Sequence, residues 1–339
     1  MSLIRMIIGA ITMVRTYVSV LLRFPTKMFS VKCTSPNRLD KKTAIVTGSN
    51  TGIGKHTAKD FFERGARVIM ACRNPQLAEK AAEDIKELCK GKSNLGELVA
   101  VKLDLSSLKS VRECAKQILA KEKRIDLLIN NAGVMMCPYS KTEDGFEMQM
   151  GTNHLGHFLF TMLLLPTICN SIPARIVNVS SLAHEVSSPI NFSDLNWEKR
   201  RYSSIGAYEQ SKLANIIFTK ELARRLRENN ISGVNTYTLH PGVIKTELGR
   251  HLSKTFIPGL STVFNFATSL FFKTVEQGAQ TTIYCAVSDE CANDSGLYYK
   301  ECEVAKPSKL AEDSEVAEKL WNVSWKLVGL EENYNPFKI

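Results

Sequence analysis

A glycine-rich turn between a short apolar strand and a helix is the feature that most constrains the fold of this chain. The strand is predicted from Thr43 to Val46, and the letters TGSNTGIG follow it at once. A helix of about four turns comes next, and a second apolar strand is predicted from Ala66 to Ala71. This succession predicts a βαβ unit, and a βαβ unit requires two parallel strands in one sheet.

The composition of the turn is typical of a site for dinucleotide phosphates. Gly48 allows the tight turn, Gly52 lets a pyrophosphate approach the backbone, and Gly54 lets the helix pack close to the strand. The N-terminus of the helix offers free N–H groups to phosphate oxygens. The cofactor-binding residues predicted in this turn are Gly48, Ser49, Asn50, Thr51, Gly52, Ile53 and Gly54.

The residues after the second strand indicate which dinucleotide is bound. Sites for NAD usually place an acid there, about 20 residues past the glycines, to bind the ribose 2′-hydroxyl. Cys72 and Arg73 occupy this place. Because no carboxylate repels a 2′-phosphate and a guanidinium can pair with it, the sequence predicts NADP(H) as the cofactor. The alternative is that Arg73 is only a surface arginine after a strand.

Two further predicted strands end in small or polar residues. The apolar strand Ile125 to Ile129 leads into the letters NNAG, and the strand Arg175 to Val179 leads into Ser180 and Ser181. Open α/β sheets bind ligands beyond the carboxyl ends of their strands. The alternation of strands and helices along the chain predicts an α/β fold, a single Rossmann-type doubly wound parallel sheet with helices on both faces.

A tyrosine and a lysine stand one helical turn apart in a predicted helix from Ser204 to Arg227. They are Tyr208 and Lys212, in the run AYEQSKLAN, and this spacing puts both side chains on one face. A free phenol ionises at about pH 10, and a neighbouring ammonium favours the phenolate. Alone, such a pair is typical of a solvated helix face. Together with the glycine turn, NNAG and Ser-Ser, it predicts a pair for general acid–base catalysis.

These motifs, in their order along the chain, resemble those of the short-chain dehydrogenase/reductase family. The order is TGSNTGIG, LDL, NNAG, NHLG, VNVSS, YEQSK and HPGV, over residues 40 to 300. Other runs, among them GTNHLGHFLF, HPGVIKTEL and LWNVSW, are similar to the vertebrate-type retinol dehydrogenases that act as NADPH-dependent retinal reductases. The resemblance implies an NADP(H)-dependent enzyme that acts on the CH–OH group of donors and interconverts a retinoid alcohol and its aldehyde.

The resemblance also implies roles for individual residues. Tyr208 is the general acid in reduction and the base in oxidation, Lys212 assists it and binds the nicotinamide ribose, and Ser181 hydrogen-bonds the substrate oxygen. Asn153 holds a water that links Lys212 to solvent. The further cofactor contacts implied are Asp104, Asn131, Ala132, Gly133, Pro241, Gly242, Val243 and Thr246.

Two of these residues have a structural alternative in the sequence itself. Asn153 can equally be a helix cap or a satisfied core asparagine. Asp104 is followed by two serines, which is also the pattern of an ordinary cap for the next helix.

Composition argues against other kinds of site and partner. The nine cysteines have no CxxC spacing, which disfavours a disulfide framework and a zinc site. His154 and His157 lie at helical spacing without an evident third ligand, so no metal is predicted. The net charge of +10 lies mainly in the first 39 residues, which contain no acid, and no base-reading motif accompanies it. The sequence therefore predicts no nucleic-acid partner.

The ends of the chain differ from its middle. Residues 1–24 predict a membrane-anchor helix, residues 25–40 a basic linker, residues 41–305 the Rossmann-type catalytic domain and residues 306–339 a helical extension. The first helix is amphipathic, so we expect it to lie in a membrane interface. A spanning anchor and a cleaved mitochondrial presequence are the alternatives. The expected location is the endoplasmic reticulum membrane, with a mitochondrial membrane as the alternative.

A long run without charge follows the HPGV motif. The run Phe256 to Phe272 predicts an apolar substrate lid at residues 247–273, which suits a hydrophobic substrate. A helix packed on the core is the alternative. The expected partners are a small apolar carbonyl or alcohol, in view of the resemblance a retinoid, and a membrane surface; a homodimer is left open.

Two other functions are compatible with the sequence. One is a reductase of other apolar carbonyls, such as lipid aldehydes or sterols. The other is a non-catalytic dinucleotide-binding scaffold with the same fold. The complete set of Asn, Ser, Tyr and Lys favours an enzyme over a scaffold.

Overall fold

The computed structural model describes residues 30–244 and 273–338. Its strands are β1 Thr43–Thr47, β2 Arg67–Cys72, β3 Glu97–Lys102, β4 Leu127–Asn130, β5 Ala174–Val179, β6 Val234–His240, β7 Leu297–Lys300 and β8 Glu303–Ala305. They form one eight-stranded sheet in the order β3-β2-β1-β4-β5-β6-β7-β8. All neighbouring strands pair in parallel except β8, which runs antiparallel at the edge.

Helices cover both faces of this sheet. They are α1 Gly52–Glu63, α2 Pro75–Leu88, α3 Leu108–Lys121, α4 Gly156–Cys169, α5 Ser204–Glu228, α6 Val275–Val287 and α7 Ser314–Leu327. A helical turn at Met148–Met150 and a π-helix at Gly151–Leu155 lead directly into α4. Short 3₁₀ helices lie at Leu182–Glu185 and Lys309–Ala311.

Strand β1 shows why the sheet is covered on both sides. Ile45 packs into the core that α3, α4 and α5 share, whereas Ala44 and Val46 pack into the core beneath α1, α2 and α6. All five residues of β1 are buried, so its three central residues are apolar instead of alternating with polar ones, and threonines stand only at its two ends. The predicted fold, a doubly wound sheet, is confirmed.

Strand β4 begins later than the sequence predicts. The carboxylate of Asp126 accepts a hydrogen bond from Thr43 N at 2.9 Å and pairs with Lys42 Nζ at 2.9 Å. Asp126 is therefore a buried acid that ties the start of β1 to the start of β4, and the ladder begins only at Leu127. The predicted strand Ile125 to Ile129 includes this acid and is therefore not wholly apolar, and its apolar part is the run that starts at Leu127.

The segments at the two ends of the described chain pack on the domain. In the predicted linker, Cys33 N donates to Gln280 Oε1 at 3.0 Å, and Asn37 Nδ2 donates to Val287 O at 2.9 Å. In α7, Trp321 packs edge-on against Phe158, with ring centroids 5.2 Å apart. None of the helices in the described ranges is long and apolar enough to cross a bilayer.

Candidate active site

The glycine-rich turn lies against the NNAG segment where the sheet order reverses, between β1 and β4. Gly48 and Gly52 have φ of +65° and +57°, in the left-handed region that favours glycine. A Cβ on Gly48 would lie 2.8 Å from Ala132 Cβ, and one on Gly54 would lie 2.5 Å from Asn131 Nδ2. Side chains at these positions would force the two segments apart, so the glycines are required by close packing as well as by the turn.

The first N–H groups of α1 have no side-chain cap from the N-cap residue. Thr51 is the N-cap of the helix, and its side chain makes no capping hydrogen bond. Ser49, in contrast, is buried, and its hydroxyl donates to Val46 O at 3.0 Å. The backbone of the turn therefore fits the pyrophosphate of a dinucleotide, while Ser49 stabilises the turn from beneath.

An exposed arginine follows β2 at the same edge of the sheet. Arg73 is exposed and Cys72, just before it, is buried. Asn74, just after it, accepts a hydrogen bond from Leu77 N at 3.1 Å and caps α2. Among the three residues Cys72, Arg73 and Asn74 at the end of β2, Arg73 is the charged one and none carries a carboxylate.

The hydroxyl of Thr47 organises the NNAG segment. Thr47 Oγ1 accepts from the backbone N of Asn131 and of Ala132, both at 2.9 Å, and lies 2.9 Å from His157 Nε2. His157 Nδ1 donates to Asn153 O at 3.0 Å. Burial lowers the pKa of His157 to about 4, so the ring is neutral and its proton is on Nδ1. The one hydroxyl proton of Thr47 has two acceptors within reach, Ile129 O at 3.3 Å and His157 Nε2.

The side chain of Asn153 is fully engaged with the protein. Its Oδ1 accepts from Val134 N at 2.8 Å, and its Nδ2 donates to Val134 O and to Ser211 Oγ, both at 2.9 Å. It projects from the π-helix, a form of helix found frequently at functional sites. A Cβ on Gly133 would lie 3.2 Å from Asn153 Oδ1 and 3.6 Å from Lys212 Nζ, so these groups line one small space.

Lys212 is a buried amine at the carboxyl end of β5. Its Nζ donates to Val179 O at 3.0 Å and lies 5.6 Å from the centroid of the Tyr208 ring. Only 3% of Lys212 and 5% of Tyr208 is exposed. Burial lowers the pKa of Lys212 to about 8, so the amine changes charge near the physiological range.

The two serines after β5 have different surroundings. Ser180 is buried, and its hydroxyl donates to Lys212 O at 2.7 Å, which ties the strand to α5. Ser181 is half-buried, and its Oγ accepts from Ala183 N at 3.2 Å. Within the described chain, no hydrogen bond uses the hydroxyl proton of Ser181. That serine, and not Ser180, can therefore donate to a ligand.

The family model described as short chain dehydrogenase matches residues 42–256. The chain belongs to this family. As a short-chain dehydrogenase, it is an oxidoreductase of a family that binds a nicotinamide dinucleotide.

Known proteins similar to this chain include several retinol dehydrogenases. Human "Retinol dehydrogenase 13" is 50% identical over 299 residues, covering 88% of each chain. Human "Retinol dehydrogenase 11" is 50% identical over 298 residues, covering 88% of this chain and 89% of its own. The mouse "Retinol dehydrogenase 13" is 45% identical over 329 residues, or 97% of this chain and 93% of its own.

Solved structures agree with the fold. An uncharacterized protein from Mycobacterium Paratuberculosis is 37% identical, with a TM-score of 0.69, and the match covers 86% of this chain and 95% of that one. The Pseudomonas aeruginosa RhlG/NADP active-site complex is 25% identical, with a TM-score of 0.59, and the match covers 77% of this chain and 94% of that one.

Other residues predicted to contact the cofactor in this dehydrogenase have visible structural roles. Asp104 Oδ1 accepts from Ser106 N at 2.9 Å and from Ser106 Oγ at 2.6 Å, so one oxygen of the acid holds a local turn. The N-cap of α3 is Ser107 and not Asp104. A contact from Asp104 to adenine stays a prediction.

The HPGV segment lies against Lys273. Gly242 has φ of +97°, and a Cβ there would lie 2.6 Å from Lys273 Cδ. Val243 O accepts from Lys273 N at 2.9 Å, next to the buried Pro241. Thr246 and residues 247–272 of the predicted lid lie outside the described residues, as do residues 1–24 of the predicted anchor.

Several residues that shape the site were not found from the sequence. Thr47, His157 and Ser211 form the hydrogen bonds given above. Gln149 Oε1 accepts from Met136 N at 2.8 Å, and its Nε2 donates to Ser204 O at 2.7 Å. Gln149 thus joins the segment after β4 to the start of α5. No motif in the sequence indicated Gln149.

The described residues hold no group of three or more His, Cys, Asp or Glu arranged to bind a metal ion. All nine cysteines are free and buried, as expected of small apolar core residues. His154 and His157 both face the interior and make separate hydrogen bonds, His154 Nε2 with Ser324 Oγ at 2.8 Å.

Proposed function

We propose that this short-chain dehydrogenase is an NADP(H)-dependent enzyme that interconverts a retinoid alcohol and its aldehyde. The observation that carries the proposal is the identity of 50%, over 88% of each chain, with a protein named as a retinol dehydrogenase. The segment after Gly133 also favours an apolar substrate. Three half-buried apolar residues come directly after Gly133, namely Val134, Met135 and Met136. Gly133 borders the space that Asn153 and Lys212 line.

NADP(H) is the cofactor that the residues fit best. Gly48, Gly52 and the first N–H groups of α1 would hold the pyrophosphate, and Arg73 would pair with the 2′-phosphate. Lys212 would bind the nicotinamide ribose, and Pro241 to Val243 would lie beside the carboxamide. When bound, the cofactor supplies or accepts the hydride at the carbon that carries the substrate oxygen.

The chain's own residues supply position and the proton. In reduction, the hydroxyl of Ser181 donates a hydrogen bond to the carbonyl oxygen and polarises it. The hydroxyl of Tyr208 gives its proton to the same oxygen, which becomes the alcohol. The ammonium of Lys212 stabilises the phenolate that remains, and the proton is regained from solvent. In oxidation, the phenolate takes the alcohol proton back.

A panel of carbonyl compounds, assayed in detergent with NADPH and with NADH, tests this function. We expect all-trans-retinal to be reduced with a higher kcat/KM than sterol ketones or short lipid aldehydes, and NADPH to be preferred. Higher kcat/KM for one of the other classes would replace the retinoid by that class. No turnover of any carbonyl would favour a dinucleotide-binding scaffold.

Arg73→Asp tests the cofactor preference in the same assay. The substitution puts a carboxylate where a 2′-phosphate would bind, so the preference for NADPH should fall by about tenfold or more. Lys90→Asp is a matched control, because it makes the same change in charge at an exposed residue beyond the far end of α2. An equal effect of the two substitutions would remove Arg73 from the proposal.

We further propose that residues 1–24 attach the enzyme to the endoplasmic reticulum membrane, where an apolar substrate dissolves. The acid-free, amphipathic sequence of this segment supports attachment in the interface. Washing membranes with alkaline carbonate tests the attachment. Retention of the full chain and release of a chain lacking residues 1–24 are expected, and release of the intact full chain would contradict integral anchoring.

A further inference from the structure

The peptide bond that follows Ser181 is held from both sides by buried histidines. His184 Nδ1 donates to Ser181 O at 2.6 Å. Leu182 N donates to His240 Nδ1 at 3.3 Å. His184 is 0% exposed and His240 is 5% exposed, so neither bond competes with bulk water. Both polar atoms of one peptide are therefore bonded to side chains from different elements.

The hydrogen bonds assign opposite tautomers to the two rings. His184 Nε2 accepts from Ser308 N at 3.1 Å, so the proton of His184 is on Nδ1. His240 accepts at Nδ1, so its proton is on Nε2. Both rings are neutral. Burial lowers the pKa of each, and the nearby ammonium groups of Lys300 and Lys273 lower that of His240 further.

The residue just before this peptide is also immobilised. Ser180 N donates to Leu239 O at 2.8 Å, and its hydroxyl donates to Lys212 O. Ser181 itself has an extended backbone, and among residues 30–244 and 273–338 its hydroxyl makes one hydrogen bond, which it accepts from Ala183 N. The place of its hydroxyl is therefore determined by the backbone on either side. On the downstream side that backbone is held by the two histidine side chains and by the backbone bond from His184 N to Ser181 O at 3.3 Å.

We propose that His184 and His240 are positioning residues that hold the Ser181–Leu182 peptide and so aim the Ser181 hydroxyl at the substrate oxygen. This inference rests on the proposed function, in which Ser181 polarises the carbonyl. It gives the histidine of the HPGV segment a task separate from the cofactor contacts predicted for Pro241 to Val243. It also links Ser181, through His184, to Ser308 in the C-terminal extension.

Matched substitutions distinguish the effect of the hydrogen bond from the effect of side-chain volume. Asn and Leu have nearly the same shape, but the amide of Asn can place a polar atom where Nδ1 of the histidine lies. We expect His240→Asn to keep kcat within about threefold of wild type and His240→Leu to lower it by about tenfold or more, because misplacement of a reacting group by about 1 Å is costly. The dissociation constant of NADPH, from its fluorescence, should stay within about twofold in both.

His184 allows a second comparison, because its two nitrogens have different partners. His184→Asn keeps the donor to Ser181 O, whereas His184→Gln keeps only the acceptor for Ser308 N. We expect kcat to be retained in His184→Asn and to fall by about tenfold in His184→Gln. The reverse order would show that the bond to Ser308 is the important one and would overturn the proposal for this residue.

Hydrogen–deuterium exchange of the peptide that contains Leu182 gives a readout that does not need turnover. In the full chain, exchange of this peptide should be faster in His240→Leu than in wild type or in His240→Asn. Equal exchange and equal kcat in the Asn and Leu variants would overturn the positioning role. A rise in the dissociation constant of NADPH with unchanged kcat would overturn it too, in favour of a role in the cofactor loop.

The two proposals fail in different ways. If the wild type turns over no carbonyl substrate, the proposed function fails, while the exchange of Leu182 still shows whether the histidines hold the peptide. If the wild type is active and the Asn and Leu variants do not differ, the proposed function stands and the positioning role fails.

Discussion

At the scale of single residues, the charge of one buried amine determines how the site can work. Lys212 donates to Val179 O, is almost fully buried and lies over the ring of Tyr208. Because burial lowers its pKa to about 8, the ammonium is the main form at pH 7 and the neutral amine is the main form at pH 9. Only the ammonium can stabilise a phenolate.

The rate of reduction should therefore fall as the pH rises above the pKa of Lys212. We expect kcat/KM for carbonyl reduction to be level below about pH 8 and to fall about tenfold per unit above it. Lys212→Met should lower kcat about 10²-fold or more and abolish this break. A break at the same pH in Lys212→Met would show that another group titrates.

Spacing in the sequence was enough to predict which side chains come together at the carboxyl end of β5. Tyr208 and Lys212 are one turn apart in a helix, and Ser181 follows a buried strand, so local geometry brings them to one edge. Thr47 and His157 could not be found in this way, since they are 110 residues apart and meet only because the sheet packs on α4. Their side chains look like ordinary strand and helix residues.

At the scale of elements, a buried ion pair joins the HPGV segment to the β7–β8 hairpin. Lys273 Nζ lies 2.6 Å from Glu301 Oε1, and Lys273 is only 6% exposed. Glu301 and Cys302 form the turn of the hairpin, with φ of +53° and +60°. A positive φ is unfavourable for residues other than glycine, so the ion pair stabilises a strained turn. Because Lys273 N also donates to Val243 O, the same pair stabilises the position of Val243.

Removing one charge of this pair should destabilise the fold. Glu301→Gln leaves the buried ammonium of Lys273 without its partner, so we expect the free energy of unfolding at pH 7 to fall by about 3 kcal/mol. Urea denaturation measures it. The double variant Lys273→Met, Glu301→Met is the control and should lie within about 1–2 kcal/mol of wild type, since no charge is left buried. A loss under about 1 kcal/mol in Glu301→Gln would contradict this account of the pair.

Hydrophobic periodicity predicted the existence of the elements better than their connections. The alternation of apolar runs and helices led to the parallel sheet, because both faces of such strands must be buried. The antiparallel β8 and the π-helix at Gly151–Leu155 were not predicted. The π-helix carries the tertiary side-chain bonds of Asn153. Strand β8 follows a two-residue turn, Glu301 and Cys302, which lacks the glycine or asparagine typical of such turns.

At the scale of the whole molecule, four buried histidines among the described residues make folding sensitive to acid. They are His154 on the π-helix, His157 on α4, His184 on a 3₁₀ helix and His240 at the end of β6. Burial lowers the pKa of all four, to about 3 for His154 and about 4 for His157. In the unfolded chain a histidine has its ordinary pKa of about 6.5.

Stability should therefore fall as the pH drops below about 6.5, since the unfolded chain takes up protons that the folded chain excludes. At pH 5.5, His154 and His157 should each cost about 1 kcal/mol relative to pH 7, and the other two act in the same direction. Urea unfolding across this pH range measures the loss. His154→Gln should reduce the slope, and a free energy that is constant from pH 7 to 5.5 would contradict the neutral assignment.

The central claim is that the Tyr208 hydroxyl supplies the proton in reduction. Mixing enzyme and NADPH with the best aldehyde of the panel, and following the loss of NADPH in a single turnover, measures this step directly. Tyr208→Phe should be slower by about 10³-fold while NADPH binding is kept. Tyr284→Phe should match wild type, because the hydroxyl of Tyr284 donates to Glu290 Oε2 at 3.0 Å. A Tyr208→Phe enzyme within about threefold of wild type would contradict the claim.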